Sequence, residues 1–203
     1  MKHPKQLFLV AAFSLFFCGS AIAQETTVDD FLDIPWGSSA AKVESAMLKR
    51  EGVTIDKENS DTSHLFFDGG TFIGRSVEYY MFNTYPSTGL NTASVFFEKP
   101  LEAKVIEKYD EIKAVIIKKF GKPDNDFKYF KSPYEEGDGY ETSAIRQGKG
   151  TIMTYWKKQD KNGGNVLLML QITESLQIML SYQNAALFDK YKQDKEAKNQ
   201  SDL

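Results

Sequence analysis

From Leu101 to Phe120 the chain carries Leu101, Val105, Tyr109, Ile112, Ile116 and Phe120, spaced by four, four, three, four and four residues. That spacing sets all of them on one stripe of an α-helix of about 20 residues, ~30 Å long. The other side holds Glu102, Lys104, Glu107, Lys108, Glu111, Lys118 and Lys119. The stripe is too short for a coiled coil and has no second copy. It therefore predicts a helix lying on the domain's own sheet. Lys99-Pro100 opens this segment, and Gly121 and Pro123 close it.

The flanking segments read as strands. A first helix is expected at 39–50, with Ser39 as N-cap, Ala40, Val43 and Met47 at helical spacing, and Gly52 as a left-handed end. Residues 53–55 and 64–68 read as strands, with Gly69-Gly70 as a hairpin turn. A longer strand is predicted at 71–83, with Ile73, Val77, Tyr79 and Met81 on one face, and another at 91–98, with Ala93, Val95 and Phe97 on one face. Residues 122–141 exceed the usual ~12–15 residues of a structureless connection, so they either hide a strand or have a function. Four strands are predicted beyond them, at about 142–147, 151–157, 165–173 and 176–183. A terminal helix is expected at 185–198 behind Asn184, docking through Leu187, Phe188 and Tyr191, with a frayed tail at 199–203.

Runs of short antiparallel strands broken by a helix give an α+β class: antiparallel sheet with two main helices packed on one face. Helix-then-strands occurs twice, at 31–99 and 100–183, which suggests a tandem repeat in element order within one domain, 24–203.

Residues 1–23 have the form of a secretory signal peptide. Lys2, His3 and Lys5 precede an apolar run from Leu7 to Cys18, too short to span the ~30 Å core of a bilayer, and Ala21-Ile22-Ala23 supplies a cleavage signal. The expected mature chain begins at Gln24 and is periplasmic or secreted. Lipid attachment at Cys18 is not expected, because Phe16-Phe17 precede it where a small residue is required. No later segment has the length and apolarity of a membrane span. With the signal removed, 23 basic side chains face 28 acidic ones, a balance with no footprint for nucleic acid. Such a chain has no cysteine and only His64 as histidine, which excludes a Cys/His zinc cluster, a disulfide and a cysteine nucleophile.

Individual motifs narrow the chemistry further. His64 has Asp61 and Asp68 nearby in sequence, but no Gly-x-Ser-x-Gly elbow accompanies it. Gly69 to Gly74 is glycine-rich, yet it lacks a lysine and opens a strand, unlike a phosphate loop. Asp160 to Asn165 begins like a calcium loop, but Gly164 and Ile172 stand where ligands are needed. Glu135-Glu136-Gly137-Asp138 reads as a solvated acidic loop. No catalytic residue, metal site or cofactor is assigned. Phe127, Tyr129, Phe130, Tyr134 and Tyr140 are the candidate partner-binding residues, because aromatic side chains on a connection are efficient interface anchors; the alternative is that they cover the domain's own core as an edge strand. The expected function is a non-enzymatic binding domain of the cell envelope whose partner is another envelope protein, a peptide or a glycan. The alternative is a hydrolase using carboxylates or His64.

Two phrases add a resemblance. Ile34-Pro35-Trp36-Gly37-Ser38-Ser39 leads into the first helix, and Lys119-Phe120-Gly121-Lys122-Pro123 closes the long one. With the element order over about 31–183, they resemble small exported bacterial α+β domains. These are the β-lactamase-inhibitor-protein-like fold and the small lipoproteins of outer-membrane assembly. The resemblance implies a binding protein without catalytic residues. The lipidated N-terminal cysteine of the lipoprotein branch has no counterpart here.

Overall fold

A computed structural model describes residues 26–201. The signal peptide expected at 1–23, with Cys18, lies outside the described residues. The elements are β1 (Asp30–Phe31), β2 (Ile34–Pro35), α1 (Ala40–Met47), β3 (Val53–Ile55), β4 (His64–Gly69), β5 (Thr71–Phe72), β6 (Arg75–Tyr85) and β7 (Gly89–Phe97). After them come α2 (Val105–Phe120), β8 (Asn125–Phe130), α3 (Glu141–Arg146), β9 (Gly150–Gln159), β10 (Asn165–Ile172), β11 (Ile178–Asn184) and α4 (Ala185–Ser201). The class is α+β. One antiparallel sheet runs in the order β3-β4-β6-β7-β11-β10-β9-β8, with β5 paired to β6 alone.

That order has a symmetry. Helix α1 is followed by β3 to β7, of which β5 lies off the main path, and helix α2 by β8, α3, β9, β10 and β11, so each half contributes four strands to that path. The last strand of each half meets the other at the centre, β7 against β11, with Ser94 opposite Ser181. Their hydroxyl oxygens lie 3.0 Å apart.

The core lies between this sheet and helices α1, α2 and α3. Val105, Tyr109, Ile112, Ile116 and Phe120 of α2 are all buried, as the stripe requires. Leu101 is not: it precedes a short 3-10 turn (Glu102–Lys104) and is 79% exposed, so the apolar stripe begins one turn later than expected. Val43 and Met47 of α1 join the same core. Phe31 of the β1–β2 hairpin closes it, with its ring 5.7 Å from Phe82 and 5.1 Å from Tyr182, one residue from each half. The Trp156 indole donates to the Gly121 carbonyl just past α2, satisfying an orphan acceptor at the helix end.

Several local expectations need correction. Helix α1 stops at Met47, and Gly52 (φ +71°) serves the turn into β3 rather than a helix cap. Its close approach to Gly69 explains the glycine pair: a Cβ on Gly69 would meet the Gly52 carbonyl oxygen at 2.4 Å. The tight turn of the next hairpin falls at Ile73-Gly74 (φ +47° and +73°), not at Gly69-Gly70, so the expected long strand is split into β5 and β6. A register shift between Val77 and Tyr79 then reverses the alternation. Val77, Tyr80 and Phe82 point into the core, while Tyr79 and Met81 point away from it. The strand expected at 142–147 is the helix α3, whose Ala144 and Ile145 are buried. The connection 122–141 hides β8. Helix α4 is capped by the Asn184 side chain, which accepts from the Leu187 N–H, and it continues to Ser201, past the expected fraying point.

Candidate functional site

Each strand has two phases, and in the central strands both carry apolar side chains. The phase facing the helices carries the core. The other phase carries a band of methionine and aromatic side chains, built residue by residue from the strand register. One row runs across the sheet as Tyr79, Phe96, Met179, Gln171, Met153 and Phe127. The adjacent row runs as Phe66, Met81, Ser94, Ser181, Met169, Tyr155 and Asn125. Four of the chain's six methionines, Met81, Met153, Met169 and Met179, lie in these rows.

The apolar members are neither core nor scattered surface. Phe66, Tyr79, Met81, Phe96, Met153, Tyr155, Met169 and Met179 are half-buried, held by their neighbours in the rows and open above. Tyr79 stacks on Phe96 with centroids 4.2 Å apart, and Phe127 tilts against Tyr155 at 5.8 Å. Burial raises the Tyr79 phenol above its ordinary value, with the Glu78 carboxylate adding to the effect, so it is neutral at physiological pH. A hollow of about 360 Å³ opens beside the band, lined by Asp56, Asn59, Phe66, Asp68 and Tyr79. Helix α4 crosses the far end of this face: Tyr191 meets Tyr85 edge-on at 4.7 Å, and the Ser87 hydroxyl donates to Asp194.

The five aromatic residues singled out in sequence do not form one cluster. Phe127 (41% exposed) and Tyr129 (58% exposed) lie on the open side of β8, and Phe127 ends the first row. Phe130 points the other way and is half-buried; its ring sits where a Cβ on Gly150 would touch it at 3.0 Å. The Tyr134 hydroxyl accepts from the Gln147 side chain at 2.6 Å, beside α3. Tyr140 is 63% exposed just before α3. The rest of the band was missed, although a signal was present. Segments such as Leu167-Leu168-Met169-Leu170 and Ile178-Met179-Leu180 are apolar in both phases, which a one-sided sheet does not require.

The polar candidates are occupied structurally. His64 is exposed, with Nδ1 3.4 Å from the Asp61 carboxylate, and among the described residues no serine hydroxyl bonds its ring. Asp61 accepts from the backbone N–H groups of Ser63 and His64, which hold its carboxyl below the usual range. Asp160 accepts from the N–H groups of Asn162 and Gly164, and Asp138 from those of Glu135 and Tyr140. Among the described residues no cluster of three His, Cys, Asp or Glu side chains is placed to hold a metal ion.

One polar network runs from the core out to the sheet edge, with Tyr109 and Thr154 buried and the Asp126 side chain 43% exposed. The Tyr109 hydroxyl lies 2.6 Å from Thr154 Oγ1, which donates to Asp126 at 2.6 Å, and Lys113 donates to the same carboxylate at 3.2 Å. Burial works against the Asp126 charge, but the Thr154 hydroxyl and the Lys113 ammonium outweigh it and hold the carboxyl below the usual carboxylate range. Burial raises Tyr109 far above an ordinary phenol, so it stays protonated. The network ties β8 to α2 and β9.

Comparison of the chain with protein families, with curated proteins and with solved structures finds no match.

Proposed function

We propose that this chain is an exported, non-enzymatic binding domain of the cell envelope, and that its recognition surface is the methionine–aromatic band on the open face of the sheet. The observation that carries the reading is the half-exposure of Phe66, Tyr79, Met81, Phe96, Met153, Tyr155, Met169 and Met179 on one face of the sheet, on either side of the buried Ser94–Ser181 pair. A contiguous apolar face is costly in water unless a partner covers it. Methionine is the side chain best suited to such a surface, because its unbranched, polarisable chain repacks against different shapes. The phenol of Tyr79 and the carboxylates of Asp56 and Asp68 at one end supply polar contacts at the rim. The partner chemistry that fits is an apolar or aromatic protein segment. The β-lactamase-inhibitor-protein-like resemblance supports the same reading.

The test is site-specific photocrosslinking from the centre of the band in envelope extract. A crosslinker at Met169 should capture a partner, whereas one at Glu107 on the helix side should not. Met179→Glu should cut capture by about tenfold or more, with a melting temperature within a few degrees of the parent. Capture unchanged by Met179→Glu would sink the band as the recognition surface.

A further inference from the structure

The two edges of the sheet differ. At one end β3 is three residues long. At the other, β8 is six residues long, pairs with β9 without a register shift, contains no proline, and is exposed throughout residues 125–129. A long, flat, regular edge is a template for another strand. The Lys131 N–H donates to the Lys149 carbonyl, which fixes the phase of the ladder. By alternation Phe127 and Tyr129 bond to β9, while Asp126 and Lys128 aim their N–H and C=O groups outward, where no described strand lies.

We propose that β8 pairs antiparallel with β8 of a second copy of this chain, with Phe127 on the two-fold axis. In this register Asp126 of each copy, which meets Lys113 of its own chain at 3.2 Å, lies opposite Lys128 of the other, which meets its own Glu136 at 3.4 Å, so the cross-strand contact joins two partly exposed ion pairs. Both residues present outward-facing backbone groups, so each pair exchanges two main-chain hydrogen bonds. Moving the register by one step in either direction sets Lys128 against Lys128 or Asp126 against Asp126, and like charges directly opposite are destabilising. An acid and a base two residues apart thus select one self-complementary pairing. The two Phe127 side chains then meet, and Asn125 lies opposite Tyr129. Because Phe127 ends the row that passes through Met153, the bands of the two copies become one surface. Edge backbone and charge carry the pairing whether or not the band is a recognition surface.

The test is sedimentation equilibrium of the full chain from micromolar to millimolar concentration, with a monomer–dimer equilibrium expected. Lys128→Pro removes an outward N–H and the solvent-exposed Lys128–Glu136 ion pair, at an edge position that tolerates proline, so the β9 ladder is kept. It should abolish the dimer in this range with little change in melting temperature. Lys128→Glu, which faces Asp126 of the other copy, should weaken dimerisation by about tenfold or more. In a Cys18→Ser background, Phe127→Cys should oxidise to a covalent dimer and Tyr129→Cys should not. A monomer throughout the range would overturn the proposal. So would a dimer indifferent to both Lys128 variants, or crosslinking through Tyr129→Cys alone. A monomer that still loses partner capture on Met179→Glu would defeat the dimer and leave the recognition surface standing.

Discussion

Thr154 and Asp126 show how much depends on single atoms. Thr154 sits in the core phase of β9, where an apolar residue would otherwise be expected, and is fully buried. It is tolerated because its hydroxyl is used twice, toward Tyr109 and toward Asp126. Thr154→Val keeps the shape and removes the link, while Tyr109 keeps the Leu170 carbonyl at 3.3 Å and Asp126 keeps Lys113, so stability should fall by roughly 0.5–1.5 kcal/mol for each bond lost. A guanidinium titration would measure it, and an unchanged midpoint would mean that the network contributes nothing. Asp126 adds a pH dependence of known sign. Its folded carboxyl titrates below the unfolded value of about 3.9. The stability it contributes is therefore complete above that value and lost as pH falls through the lower folded one. The melting-temperature gap between the parent and Asp126→Asn should be constant from pH 7 to pH 5 and shrink below pH 4. A gap that widens in acid would reverse the assigned sign.

At the scale of elements, α2 is the member most legible in the sequence, because a stripe at helical spacing leaves one solution. Ile112 is 2% exposed on that stripe, and Lys108 lies on the other side, paired with Glu111 at 3.0 Å. A buried aspartate without a partner costs several kcal/mol, against a total stability of ~5–15 kcal/mol. Ile112→Asp should therefore leave the domain largely unfolded by circular dichroism. Lys108→Ala should fold normally, because an exposed ion pair is worth at most ~1 kcal/mol. Strand and helix were harder to tell apart in short segments. Residues 142–147 carry Ala144 and Ile145 between polar neighbours, a pattern too short to distinguish a strand from one turn of helix. Packing beside β9 decided for the helix: a Cβ on Gly150 would meet the Ile145 nitrogen at 2.9 Å. The hidden strand β8 was equally ambiguous, since all but its last residue is exposed and only pairing with β9 makes it a strand.

For the whole molecule, the seam between β7 and β11 decides whether the two halves behave as one body. The core cluster is continuous across it, with Val95 opposite Leu180 and Ala93 opposite Tyr182, all buried. The chain's two tryptophans fall in different halves, Trp36 before α1 and Trp156 in β9. Denaturant unfolding followed by Trp36 in a Trp156→Phe variant, and by Trp156 in a Trp36→Phe variant, should each coincide with the loss of secondary structure. A tryptophan signal that changes well before the circular dichroism would show that the halves melt separately.

Sequence alone determined what local periodicity and composition can determine. It gave the α+β class, the long helix with its buried stripe and glycine end, most strand positions, and the paired helix-then-strands order. It also narrowed the chemistry, since a chain with one cysteine and two histidines has little material for metal or thiol sites. Tertiary structure alone decided which phase of each strand faces the helices. One register shift after Val77 exchanges the two faces of β6, and no local pattern shows where such a shift falls when both phases are apolar. It also decided which distant residues share a surface. Tyr79, Phe96, Met179, Met153 and Phe127 come from strands scattered over the chain, and they form a row only because the last strands of the two halves pair at the centre of the sheet.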